Sequence, residues 1–221
     1  MRAFLAATLL VAALAVTGCG SSSPSARQIL ANSIKAAEAA SSLHMSGSLN
    51  SSGKQIGIDL WIAKGNGAEG SLTVGGAKVR LIIVGGNLYI NAPASFLTQF
   101  VSSPQFIHLG GRWLKIPVSN PGQFVSFVAF SRPDILLGQL QSSADASLKN
   151  NGETTYKGQS VLALYDGASN GTLYVRATGT PYPVALVKTG SSGGAVAFGG
   201  WNHAVTLKAP KNVLAYTQVG G

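Results

Sequence analysis

Ile56, Ile58, Leu60 and Ile62 stand at alternate positions, with Gln55, Gly57, Asp59 and Trp61 between them. A side-chain period of two belongs to a β-strand with one face buried and the other in water. The pattern returns at hairpin spacing and predicts further strands over 70–74, 78–84 and 87–91. The last two are separated by Gly85-Gly86, a pair suited to the positive φ angles of a primed turn. Strands this close in sequence pair antiparallel, because a parallel crossover needs a dozen or more residues. No βαβ alternation is present, so this part of the chain reads as a meander.

The same reasoning predicts a strand over 112–116 and a second series over 153–157, 160–166, 172–177, 183–189, 195–198 and 204–208, with Asn170-Gly171 as another primed turn. Helical periodicity is confined to short stretches. Residues 26–40 place Ile29 or Leu30, Ile34, Ala37 and Ser41 on one side and Asn32, Lys35 and Glu38 on the other. Residues 93–101 gather Phe96, Leu97, Phe100 and Val101, and residues 122–130 gather Phe124, Phe127 and Val128. Ser131-Arg132-Pro133-Asp134 has the form of a capping box opening a third short helix, with Leu136 and Leu137 inside it. Charged residues make up only 10% of the chain, against about 25% in an ordinary globular protein. Ser, Gly, Asn and Thr supply the polar surface instead, as suits sheet with tight turns.

The N-terminus sets the compartment. After Met1-Arg2, residues 3–16 form an uncharged apolar run, shorter than the roughly 20 residues that a membrane-spanning helix needs. It reads as the apolar region of an export signal. Val16-Thr17-Gly18-Cys19 resembles the lipobox of bacterial lipoproteins. Cys19 is the one cysteine in the chain, so it has no disulfide partner within the chain, and lipidation accounts for it. Ala13-Leu14-Ala15 offers an ordinary secretory cleavage site as the alternative.

The expected organisation is a signal peptide over 1–18, a lipidated Cys19 with a flexible tether over 19–25, and one domain over 26–221. The diacylglycerol on Cys19, with palmitate among its acyl chains, holds the protein on the extracytoplasmic face of the cell membrane. A Gly/Ser tether of this length reaches on the order of 15 Å. The formal charge of +9 comes from Lys and Arg scattered singly, without the aromatic interleaving of a nucleic-acid surface. Export and this scatter exclude nucleic acid as a partner and leave weak attraction to anionic headgroups.

Motifs for chemistry fail on context. Gly65 to Gly70 fits G-x-G-x-x-G but lies between two strands, so no helix N-terminus is there to hold a pyrophosphate. Gly190 to Gly194 fits G-x-S-x-G but is followed by a strand, not the helix of a nucleophile elbow. His44, His108 and His203 lack the spacing of a metal site. Asp59 and Glu69 can face each other across neighbouring strands but on the solvated side, where Trp61 is an edge aromatic or a docking spot. No catalytic residue, metal or cofactor is expected, and the chain is not read as an enzyme. The sequons at Asn50 and Asn170 are read as incidental.

The helix ending in Ala-Ser-Ser-Leu-His (40–44), "GGNLYINAP", "GRWLKIP", "GTLYVRATGTPYPV" and "FGGWNHAVTLKAP", in this order behind a lipobox, resemble the LolA/LolB-like bacterial lipoproteins, most of all the actinobacterial LppX/LprG-type lipid carriers. The resemblance implies an α+β fold: a strongly curved antiparallel β-sheet, a half-barrel, with one N-terminal helix and short helices covering its concave face. It implies an apolar cavity that takes acyl chains of a lipid or glycolipid, for transport or storage. An acyl chain needs only a concave apolar surface, and each methylene transferred contributes about 0.8 kcal/mol. The lining would come from Ile58, Leu60, Leu72, Val74, Leu81, Ile83 and Ile90 on the sheet, and from Phe96, Phe100, Phe124, Phe127, Leu136 and Leu137 on the helices. The same residues serve equally as plain core. The alternative is a structural, sensory or partner-binding envelope lipoprotein with a filled core, no cargo and an envelope partner still to be named.

Overall fold

The computed structural model describes residues 24–51, 53–99, 109–129, 132 and 147–216. Helix α1 spans Ala26–Ala39. Its N-cap Ser25 accepts a hydrogen bond from the Gln28 backbone N–H through Oγ, at 3.3 Å, satisfying one of the donors a helix start leaves open. Ala26, Ile29, Leu30, Ser33, Ile34 and Ala37 are buried along one face. Six strands follow: β1 (Ser42–Ser51), β2 (Lys54–Ala63), β3 (Gly67–Val74), β4 (Ala77–Val84), β5 (Asn87–Asn91) and β6 (Trp113–Pro117). Helix α2 (Ala94–Leu97) lies between β5 and β6. After β6, a 3-10 turn over Gly122–Phe124 leads into helix α3 (Val125–Ala129). The second series is β7 (Lys149–Tyr156), β8 (Gln159–Asp166), β9 (Gly171–Arg176), β10 (Pro183–Lys188) and β11 (Gly194–Gly199), closed by β12 (Val213–Ala215).

All twelve strands form one sheet in the order β12-β6-β5-β4-β3-β2-β1-β11-β10-β9-β8-β7. Two antiparallel meanders therefore meet where β1 pairs with β11, and β12 adds to β6 in parallel. Gly85 and Gly86, with φ of 57° and 74°, make the tight β4–β5 turn that their sequence requires.

The strongly curved half-barrel expected from the resemblance is not found. The sheet is open, with β12 and β7 as its two edges, and its register breaks only between Pro183 and Ala185 and between Asn150 and Glu153. Bulges of this kind are what bend strands sharply, and the pairs from β1 to β6 have none. Closing a sheet removes its edges; this one blunts them instead. One edge strand has three residues, and the other carries the polar run KNNGETTY.

One face of the sheet is apolar from β8 across to β4. Following the register, Leu164, Leu173, Leu186, Val196, Gly47, Ile58, Leu72 and Val79 form a single row across eight strands. Helix α1 covers the β8–β9 end of that face, with Ile29, Leu30 and Ile34 packed near Leu164, Leu173 and Val175. The other end is covered by α2 and α3. Leu43, Met45, Ile62, Ala68 and Val196 join the two halves.

The strand expected over 204–208 is absent. Residues 203–210 run as irregular chain, and β12 forms beyond them. Val205 and Leu207 carry an alternating pattern, but their stretch lies against the β2–β3 and β4–β5 turns, where Leu207 approaches Gly67. The helix expected after Ser131-Arg132-Pro133-Asp134 falls outside the described residues, apart from Arg132.

Candidate functional site

The residues expected to line a lipid cavity sort into three groups. Leu60, Leu72, Leu81, Ile83, Ile90, Phe96, Phe124 and Phe127 belong to one buried cluster with Val79, Leu88, Leu97, Leu109, Leu114 and Ile116. Ile58 and Val74 are half-buried against it. Phe100, Leu136, Leu137 and the proposed anchor Cys19 lie outside the described residues.

Within the cluster the rings are in mutual contact. Phe127 meets Phe96 edge-on with centroids 6.1 Å apart and Phe124 at 6.2 Å. Tyr216, beyond β12, meets Phe124 edge-on at 5.9 Å. Such pairs stabilise beyond their buried area by about 0.5–1.5 kcal/mol. Phe124 is 0% exposed, as are Leu60, Leu81 and Ile90. Thus α3 and Tyr216, just after β12, press directly on the β2–β6 part of the sheet.

The opposite face carries a polar and aromatic groove of about 350 Å³. Strand alternation builds it from two adjacent rows. One row reads His44, Trp61, Glu69, Ile82, Tyr89, Lys115 across β1 to β6. The next reads Ser46, Asp59, Ser71, Arg80, Asn91, Trp113. Lys78, two residues before Arg80, extends the groove along β4. Asp59 and Glu69 are not directly opposed: Asp59 pairs with Ser71 and Glu69 with Trp61, leaving the two carboxylates on a diagonal.

Trp61 is fixed by its neighbours. The His44 ring stacks on it at 4.5 Å and 18°, and His203 lies 5.3 Å away on a tilt. His44 Nε2 is 2.8 Å from Asp59 Oδ1, which also fixes the imidazole. Gly200, at φ 57°, leaves room for the indole, since a Cβ there would stand 2.4 Å from it. At the other wall, the Arg80 guanidinium lies 5.3 Å from the centre of the Trp113 ring.

The histidines of the sequence partly converge, with His44 and His203 both on Trp61. Among the described residues no three His, Cys, Asp or Glu side chains assemble as a metal site. Gly65 to Gly70 form the β2–β3 turn and the start of β3, and a 3-10 turn over Gly190–Ser192 joins β10 to β11. Sequence reasoning singled out Asp59, Trp61 and Glu69 but missed Trp113, Arg80 and Lys78 beside them. The signal was present in the alternation, which sends Arg80 and Trp113 to the wet face once the hairpin registers are set.

The fold is shared with known structures, though no family model and no curated protein sequence matches the chain. LprF from Mycobacterium bovis superposes with a TM-score of 0.53 at 15% identity, over 84% of this chain and 96% of its own. The Mycobacterium tuberculosis lipoprotein LppX does so with a TM-score of 0.52 at 16% identity, over 83% of this chain and 98% of its own. Identities this low show a common fold and nothing finer, so the LppX side of the expected resemblance holds at the level of fold. A LolA-superfamily protein from Nitrosomonas europaea, NE2245, overlaps at a TM-score of only 0.24 with 8% identity, over 80% of this chain and 92% of its own, and supports no inference.

Proposed function

We propose that this chain is a non-enzymatic, membrane-anchored envelope lipoprotein whose helix-covered interior is a filled core, and that it acts through its surface in structure, sensing or partner binding. The observation that carries this reading is the packing of Phe124, which is fully buried among Phe127, Tyr216 and the leucines and isoleucines of β2–β6. This packing supports a filled core between α3 and the β2–β6 part of the sheet over an open hollow. Attachment through Cys19 at the extracytoplasmic face is part of the proposal and rests on the lipobox. Among the described residues no helix is long and apolar enough to cross a membrane.

A second reading, carriage of acyl chains for transport or storage, is favoured by the fold shared with lipoprotein LppX and by Ile58 and Val74, which leave apolar surface at the rim of the cluster. Lipid extraction separates the two. The protein purified from its host membrane and washed of loose lipid is extracted and weighed by mass spectrometry. The filled-core reading expects no stoichiometric lipid beyond that covalently held on Cys19, and no saturable uptake of a fluorescent fatty acid. One bound amphiphile per chain, reproduced across preparations, would replace it with the carrier reading.

A further inference from the structure

The outer groove has the chemistry of a sugar site. Its charges cancel: Asp59 and Glu69 stand against Lys78 and Arg80, although the chain as a whole is strongly basic. A site for phosphate or nucleotide would lack the carboxylates, and one for a cation or amine would lack the two bases. Among the described residues the side chains of Glu69, Lys78 and Arg80 make no hydrogen bond or ion pair, Arg80 having only its contact with the Trp113 ring. Their donors and acceptors are therefore open to a ligand. Carboxylates accept, guanidinium and ammonium groups donate, and the Ser71 hydroxyl does both. That mixture matches a ligand whose every polar group is a hydroxyl, donor and acceptor at once.

The walls fit the same ligand. A pyranose ring turns weakly positive C–H hydrogens to one side, and an indole offers a negative π face to receive them. Arg80 of β4 covers part of the Trp113 ring, and His44 and His203 cover part of Trp61. Both indoles are only half-buried, so the sugar would meet the indole surface that these neighbours leave. Rigid walls limit the ordering cost of binding. A volume of about 350 Å³ is at the small end of ligand sites, which span about 300–1,000 Å³, and suits a mono- or disaccharide unit. We propose that the groove between Trp61 and Trp113 binds a neutral saccharide, with Glu69 and Arg80 holding its hydroxyls. This site lies on the face opposite the helices and stands whether or not the interior holds lipid.

The test uses the full chain in a detergent without a sugar headgroup. A Trp201→Phe background leaves Trp61 and Trp113 as the fluorescent groups, and cellobiose, isomaltose and N,N′-diacetylchitobiose are titrated to about 50 mM. The proposal expects a saturable signal with at least one of them. Trp113→Ala should weaken it about tenfold or more, and the surface changes Glu69→Gln and Arg80→Gln about threefold or more each. The two latter variants keep the test open should Trp113→Ala fail to fold. No saturable response to any of the three sugars overturns the proposal, as does an affinity unmoved by both surface variants. Tighter binding of glucose 6-phosphate than of the neutral sugars also overturns it.

Discussion

Asp166 ends β8 and shapes the turn into β9. Its Oδ1 accepts from the Ala168 backbone N–H at 3.0 Å and from Ser147 Oγ at 2.9 Å. A hydrogen bond from the Ser169 side chain is the largest influence on its acidity; with those from Ser147 and the turn backbone it outweighs the opposing effect of burial and holds the carboxyl below the ordinary value of 3.8. The folded state therefore binds this proton less readily than the unfolded chain. The stabilisation is fully present above the unfolded aspartate pKa and is lost as pH falls through the lower folded one. Asp166→Asn should cost about 1.5 kcal/mol at pH 7, the scale of hydrogen bonds to a charged group. The gap between the two proteins should narrow as pH falls below the unfolded aspartate pKa and close only below the lower folded one. Urea unfolding at pH 7 and at pH 3 checks both halves, and a gap of equal size at the two pH values would remove the charge from the explanation.

Helix α3 is only five residues long, too short to be stable alone, so it is held by what it buries. If the interior is filled, Phe124 immediately before it is a structural plug. Phe124→Ala should then cost about 3–5 kcal/mol, the transfer loss plus an unfilled cavity. A ring that only lined an open hollow would cost far less, because its loss would merely widen a space already there. Chemical denaturation of delipidated protein measures this, and a loss below about 1 kcal/mol would count against the filled core. Elements of this kind were legible in the sequence where the signal is local. The alternation of β2, the Gly-Gly turn before β5 and the amphipathic face of α1 each follow from a few neighbouring residues. The long-range choices were not legible. Nothing near Ser42 names Gly194–Gly199 as its partner, and the alternation of Val205 and Leu207 looks like a strand until the turns of β2–β3 and β4–β5 are known to lie beneath it. The lack of strong curvature in the sheet was missed for the same reason, since curvature is set by register and packing across strands far apart in the chain.

At the scale of the molecule, two meanders share one hydrogen-bonded seam, β1 against β11, and one continuous apolar face. The cluster at the seam is small, but it is bound into both of its neighbours: Ile58 also packs on the β2–β6 cluster, and Phe198 and Trp201 also pack on the α1 cluster. Opening the seam would expose Leu43, Met45 and Ile62 together, and a fully buried aliphatic side chain contributes about 1.5–3 kcal/mol. Neither half can thus unfold without a large loss in the other, and the chain should melt as one unit. Two single-tryptophan proteins test this, one keeping Trp113 on β6 and the other keeping Trp201 after β11, with phenylalanine at the remaining indole positions. Their urea midpoints should coincide. Ile62→Ala, placed at the seam, should lower both by the same step, about 2–5 kcal/mol in stability. Midpoints that separate in the unmutated background would mean that β1–β6 and β7–β11 are independent folding units that share only backbone hydrogen bonds.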